Sequence, residues 1–325
     1  MEVFTIGTNG FGPKSITGPP FRTHAAYLRE RFGERVHRIA LDGGFGCPHR
    51  EDGRGPGGCI FCSSTGSGSG AHDRGLTISE QMQAGIKRLE KTGIRKVIAY
   101  FQAFCGTGAE PEVLERLYLE ALSFPGVVGL TVGTRPDMVP DQVLRLLAGL
   151  AKQVGSEKGD IDLWLELGLQ SASNDTLKRI QRGHDVASFD DAVKRAGALG
   201  ISTAAHVILG LPGEDDAQMM ATADHLSRLP VQGVKLHHLY VEAGTALATQ
   251  YEKGAFETLS EARYMELAIG FIRRLKPDIV LMRLAGRGNE ERLIAPRWKM
   301  AAGSLAQAIA REMEGRGNKQ GDLVP

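Results

Sequence analysis

Cysteine is scarce: 4 residues in a chain of 325. That is too few to staple a protein of this size, so a disulfide scaffold is excluded. A charge excess of one sign is also missing. With 39 basic and 38 acidic side chains the formal charge is +1, so no global field draws the chain to nucleic acid or an acidic membrane. Long hydrophobic runs are absent too. The longest, such as 207–211, fall far short of the roughly 20 residues that cross a bilayer. The opening residues, MEVFTIGTNGFG, lack a basic segment followed by an apolar one and do not read as a signal peptide. These absences predict a cytoplasmic protein with no membrane partner and reduced thiols. Glycine, by contrast, is abundant. Its 42 residues show no collagen period, which predicts special turns and close backbone approaches.

Residues 1–21 read as an extended N-terminal arm, and 315–325 as a flexible tail. Between 22 and 243 the pattern alternates. Strands are predicted at 36–41, 97–104, 127–132, 161–167, 202–209 and 233–241. Helices are predicted at 24–32, 77–91, 111–122, 140–152, 174–180, 188–198 and 214–228. Thr77 with Glu80 makes a capping box for the second helix. The strands starting at 97, 127, 161 and 202 are continuous apolar runs, which implies burial on both faces in a parallel sheet. Six β–α units fit, where a complete barrel needs eight. The expected fold is α/β, a partial (β/α)6 TIM-type barrel. A helix-rich C-terminal extension over 244–314 includes a strand at 279–284. Functional residues then belong at the C-terminal strand ends.

Three of the cysteines crowd one Gly-rich loop, 42–75, directly after the first strand: Cys47-x11-Cys59-x2-Cys62. Three thiolates in a reducing compartment invite a metal. They complete neither a structural zinc site nor an iron–sulfur cluster with four cysteine ligands. Two readings stay open on this loop. One is a cubane held by three cysteines, with an open iron for a small chelating ligand. The other is a zinc knuckle completed by His49 or His72, which would make the chain a zinc-stabilised, non-catalytic RNA-binding barrel. Cys105, after the second strand, reads as a buried structural thiol or as a reactive one.

The loop resembles the cluster loop of radical S-adenosylmethionine (SAM) enzymes, which usually carry C-x3-C-x2-C. The wider spacing, the Cys-Pro-His after the first strand and Phe61 before the last cysteine are similar to the Elp3-like branch. LDGGFGCPHR, GGCIFC, YFQAF, VGTRPD, LELGLQS, RGHD, ILGLPGE, VKLHHLYV and LIAPRW extend the likeness over nearly the whole chain, to a bacterial Elp3-like subfamily of about this length. The resemblance implies that Cys47, Cys59 and Cys62 hold a [4Fe-4S] cluster whose open iron is chelated by SAM. A flavodoxin- or ferredoxin-type donor would supply the electron that cleaves SAM to a hydrogen-abstracting 5′-deoxyadenosyl radical.

The same resemblance assigns cofactor contacts. Gln102 stands where relatives offer backbone to the SAM ammonium. Gln170 and Ser171 follow the fourth strand, at a ribose or carboxylate contact. Arg182 resembles the arginine that pairs with the SAM carboxylate in coproporphyrinogen-type relatives, where a guanidinium fork suits a carboxylate. His206 takes a ribose position, and Gly210 lets backbone approach the adenine. Each has a plain reading as well: Gln102 as a strand-end cap, Arg182 at the end of helix 174–180, His206 as a packed strand histidine. Gly133 stands where many relatives have Glu, so Thr134 or Arg135 would replace that contact, or Arg135 would pair with Asp137 or Glu166.

Lys235 and His237 share one face of the sixth strand and His238 takes the other. With Arg283 and Arg287, Lys235 and His237 are the substrate-site candidates. They too could be solvent-facing polar groups. Elp3-like enzymes act on the tRNA wobble uridine, so a tRNA nucleoside is the expected substrate, with a small molecule or protein as alternatives. Residues 263–299 carry nine Lys/Arg against four acids, with Trp298 among them. That is a basic rim for RNA or a solvated helix face.

Overall fold

The computed structural model describes residues 19–53, 55, 57–63, 66, 68, 70–286 and 288–324. Its strands, in chain order, are β1 (Val36–Leu41), β2 (Lys96–Phe101), β3 (Val127–Thr134), β4 (Asp162–Gln170), β5 (Ser202–Leu209), β6 (Gly233–His238), β7 (Val241–Glu242), β8 (Val280–Arg283) and β9 (Leu293–Ala295). Its α-helices are α1 (His24–Phe32), α2 (Ile78–Leu89), α3 (Pro111–Ser123), α4 (Asp141–Lys158), α5 (Asn174–Arg179), α6 (Val186–Ala198), α7 (Asp216–Arg228), α8 (Ala246–Glu252), α9 (Glu261–Arg274) and α10 (Ala302–Gly315). The 7-stranded sheet runs β1-β2-β3-β4-β5-β6-β8 with every pair parallel. Strand order follows chain order, as helical crossovers of one hand dictate, and the result is a partial barrel. β7 and β9 form a separate antiparallel pair.

All nine positions of β4 are buried, and alternation sorts them onto two faces. Leu163, Leu165, Leu167 and Leu169 join the large core packed with the helices. Trp164 packs instead with Ile98, Ala204, Val280 and Met282 from other strands and with Tyr27 and Leu28 of α1. Asp162 ties this plug together, accepting from Tyr27 Oη at 2.6 Å and Trp164 Nε1 at 3.0 Å. One end of the barrel is therefore closed by α1, and the strand C-termini are left for the site.

The capping box of α2 forms as expected: Thr77 accepts from the Glu80 N–H, and Glu80 accepts from the Thr77 N–H. α4 runs six residues beyond the predicted end at 152, to Lys158. The predicted strand 233–241 divides into β6 and β7, and β7 turns away to meet β9. The strand expected at 279–284 is β8, which joins the barrel beside β6. The extension thus contributes the seventh barrel strand.

The C-terminal segment does not fray. Gln320 is 3% exposed, donates to the carbonyls of Lys276 and Ile279 and accepts from the Arg22 N–H. With the Gln320 N–H on the Pro20 carbonyl and the Leu323 N–H on the Arg273 carbonyl, these bonds tie the segment to residues 20–22 and to the end of α9. The first 18 residues of the expected N-terminal arm lie outside the described residues.

Candidate active site

A cavity of about 440 Å³ opens at the C-terminal strand ends. Among the described residues its lining includes Cys47, Cys59 and Cys62 from the loop after β1, Gln102 after β2, Gly133, Thr134 and Arg135 from β3 and its end, Gln170 as the last residue of β4, and Arg182 after it. His206, Lys235, His237, His238 and Arg283 come from β5, β6 and β8. His238 was expected on the opposite face from His237. At the strand end it lines the cavity while stacking on Trp298, ring centroids 3.9 Å apart.

Short backbone bonds shape the cysteine loop. The Cys47 N–H donates to the Gly53 carbonyl at 2.6 Å and the Cys62 N–H to the Cys59 carbonyl at 2.9 Å. Ile60, between the cysteines, is 2% exposed and packs with Leu177, Ile180, Leu211 and Leu247. Its N–H donates to Ile180, and its carbonyl accepts from Leu247. The cysteine pair is therefore anchored to the end of α5 and the start of α8. Gly183 is also needed here. Its φ is +77°, and a Cβ would lie 1.4 Å from the His49 ring.

Each of the three sulfurs meets a protein donor. Arg182 Nη1 points at Cys59 Sγ at 3.4 Å and Arg50 Nη2 at Cys62 Sγ at 3.0 Å. A hydrogen bond from Cys105 holds the Cys47 thiol well below its ordinary range. The same bond, with burial, pushes Cys105 up. Burial pushes the Cys62 thiol up, against the pull of Arg50. Donors at sulfur offset thiolate charge, which suits a soft metal or an iron–sulfur cluster.

No group of three or more His, Cys, Asp or Glu side chains that could hold a metal ion is gathered among the described residues. His49 and His72 are not placed as a fourth ligand for zinc. His49 Nε2 accepts from Arg135 Nη2 at 3.0 Å, and His72 is exposed. Three donor-supported thiols around one cavity fit a cluster held by three cysteines better than a closed zinc site.

Below the cysteines lies a buried charge cluster centred on Glu166, which is 1% exposed. Its carboxylate accepts from Arg38 at 2.7 Å, Tyr100 at 2.6 Å, His206 at 2.7 Å and Lys235 at 2.6 Å. Strand register assembles the group. Glu166 lies beside Gly133, and Gly168, His206, Lys235 and Arg283 form a row across β4, β5, β6 and β8. Burial opposes ionisation of Glu166, but Lys235, His206 and Arg38 outweigh it and hold its carboxyl well below the usual range. Burial lowers Lys235 to about 8, against the opposing pull of Glu166.

This hub was the main feature missed. An acid inside the apolar strand LWLELGL was its only signal. Of the two acids the sequence offers Arg135, Asp137 is the one that pairs, and Glu166 is taken by other cations. Arg135 pairs with Asp137 at 2.6 Å and donates to the Arg182 carbonyl at 2.7 Å.

The other sequence candidates divide. Gln170 lines the cavity with a positive φ of 72°, just past a register shift in β4. A non-glycine residue held there stores strain of about 1–3 kcal/mol, and such strain gathers at functional sites. Arg182 forks onto the Gly168 carbonyl at 3.0 and 3.2 Å. Ser171 is turned out of the lining: it donates to Glu214 and accepts from the Ser173 N–H. Gly210 also lies outside it, against Leu259. Arg287 lies outside the described residues.

The buried histidines make acid stability a test of this packing. Burial holds His184, His206 and His238 down to about 4. Unfolded, each titrates near 6.5, so its stabilising share is fully present above about 6.5 and is lost as pH falls toward 4. Urea unfolding should show stability dropping by on the order of 1–3 kcal/mol per pH unit in that window. A flat profile from 6.5 to 4 would reject the buried neutral state.

Known proteins match this architecture. The family described as the radical SAM superfamily matches residues 44–226, and the Radical_SAM C-terminal domain matches 231–315. YtqA of Bacillus subtilis is 39% identical over 310 residues, 95% of this chain and 94% of its own. The tRNA uridine(34) acetyltransferase of Methanocaldococcus infernus is 25% identical over 58% of this chain and 34% of its own. Among solved structures, archaeal Methanocaldococcus infernus Elp3 with an N-terminal deletion superposes with a TM-score of 0.69 at 18% identity, over 88% of this chain and 64% of that one. This chain therefore spans just under two thirds of the Elp3 chain and shares its fold. No helix among the described residues is long and apolar enough to cross a membrane. With its family matched over more than half the chain, its fold shared and its cysteines around a strand-end cavity, the protein belongs to the radical SAM superfamily and is a radical SAM enzyme.

Proposed function

We propose that Cys47, Cys59 and Cys62 hold a [4Fe-4S] cluster in this cavity, that SAM binds beside it, and that the substrate is a tRNA nucleoside. One observation carries the reading: the three cysteines and the ends of strands β2 to β6 and β8 line a single cavity. Cluster and SAM, when bound, would supply reductive hydrogen-atom abstraction. A flavodoxin- or ferredoxin-type protein would deliver the electron.

The chain's own residues bind, orient and shield. Arg182 lines the cavity with Nη1 at Cys59 and Nε and Nη2 on the Gly168 carbonyl, and its remaining N–H groups would meet a SAM carboxylate. Gln102, Gln170 and His206 offer polar contacts around it. Phe61, Phe104, Ile208 and Leu239 give apolar lining that excludes water and stray hydrogen donors. The Glu166 cluster keeps the floor rigid.

The tRNA part leans on what the acetyltransferase relative's name says it acts on, and on surface charge. Much of the basic excess of 263–299 is neutralised, as Arg263 pairs with Asp216, Arg273 with Asp322 and Arg274 with Asp224. Arg297, Trp298 and Lys299 line a second, open groove, a basic and aromatic combination that suits RNA.

Anaerobic reconstitution tests the chemistry. A brown protein with about four irons per chain that yields 5′-deoxyadenosine under dithionite is the expected result. A colourless one-zinc protein that never cleaves SAM would overturn the reading. Nucleoside analysis of tRNA from a deletion strain tests the substrate. One modified nucleoside should be missing or arrested, whereas an unchanged profile would move the substrate to a small molecule or protein.

A further inference from the structure

We propose that Arg283 and His237 form a subsite for an anionic group of the substrate, a carboxylate or a phosphate. Arg283 ends β8 beside Lys235 and faces the cavity, yet it forms no hydrogen bond or ion pair with any described residue. The two acids lining the same cavity are already engaged. Glu166 accepts from four side chains, and Glu242 accepts from the Asn289 N–H. Arg38, Lys235 and Arg283, with Arg182 in the same lining, outnumber the two buried carboxylates, Glu166 and Glu242, and leave a cationic surplus. In a site of low dielectric that surplus is costly until an anion enters.

His237 supplies the second observation. It lines the cavity, and its Nε2 is buried without a hydrogen-bond partner among the described residues. Burial and the nearby Arg283 keep its ring neutral, so Nε2 can carry a proton and donate it in a hydrogen bond. A guanidinium fork and a buried N–H converging on one space are the donors an oxyanion takes. The anion is the substrate's rather than SAM's for a structural reason. Arg182, 3.4 Å from Cys59, already provides a cation beside the cysteines, while Arg283 is on the far edge strand of the sheet. This inference rests on the radical SAM reading only for the distinction between cofactor and substrate.

The full chain, loaded with cluster and SAM, is titrated with acetate and with inorganic phosphate against chloride at matched ionic strength, and thermal unfolding is followed. Saturable stabilisation by at least one of the two anions is expected. Arg283→Gln and His237→Phe should each weaken it about tenfold or more, and Arg283→Lys should retain part of it. Circular dichroism checks that each variant folds, and the lysine variant carries the test where the glutamine variant does not. Absence of saturable binding, or equal binding by Arg283→Gln, overturns the subsite. So does saturable binding seen only in a parallel titration of the cluster-loaded chain without SAM, which would assign the anion to the cofactor's place. SAM cleavage is measured on the same wild-type preparation. Anion binding without any cleavage would sink the radical SAM reading and leave the subsite standing.

Discussion

Replacing Cys59 by Ala will leave a folded chain that cannot assemble the cluster. The backbone around this cysteine is held from both sides of Ile60, through Ile180 and Leu247, and the Ile60 side chain is sealed in apolar packing. Loss of one small buried sulfur should cost only about 1 kcal/mol of stability. The chemical loss is far larger. A cubane needs all three thiolates if its last iron is to stay open for SAM, and Arg182 would lose the sulfur it faces. Iron and sulfide after anaerobic reconstitution should fall from about four per chain to near none, and 5′-deoxyadenosine should drop below detection. Full cluster content in the variant would refute the assignment of Cys59 as a ligand.

Replacing Glu166 by Ala will be the most destabilising single change in the barrel interior. Four donors lose their acceptor at once, and Arg38 and Lys235 are left without a counter-charge. Removing one partner from a buried ionic cluster costs about 3–5 kcal/mol. Lys235 is already lowered to about 8 with the carboxylate present. Without it, the lysine should drop further and become neutral near pH 7. Glu166→Gln keeps the shape and loses the charge, so it should fall between wild type and Ala in urea unfolding. The double variant Glu166→Gln with Lys235→Met should recover part of the loss, because the orphaned charge goes with its partner. A Glu166→Ala protein within about 1 kcal/mol of wild type would show that the hub is not held by charge.

Much of the barrel could be read from residue types alone. Continuous apolar runs such as VIAYF and LWLEL called for a sheet covered on both faces, and the parallel order β1 to β6 follows that expectation. β8 was visible as a strand, but its place in the barrel was not. That place depends on Val234 and Lys235 finding Leu281 and Arg283 across 46 or more residues of chain. The motif carriers Gln102, Gln170, Arg182, His206, Lys235, His237 and Arg283 share one cavity, as strand-end positions in a barrel should. Ser171 and Gly210 belong to the same motifs and do not. One residue past the bulged end of β4, the Ser171 hydroxyl meets Glu214 rather than the cavity.

Spacing and residue type determined the architecture, the cysteine set and the end of the barrel where chemistry belongs, because those properties are local or periodic along the chain. Tertiary structure alone decided the ionic partners. Arg135 had Asp137 two residues away and Glu166 across the sheet, and it paired with Asp137. That left Glu166 to Lys235 and Arg38, 69 and 128 residues away in the chain. Arg283 faces the cavity without an ion-pair partner among the described residues. A charge finds its partner through distance and burial in the folded molecule, and strand register, which sequence does not print, sets both.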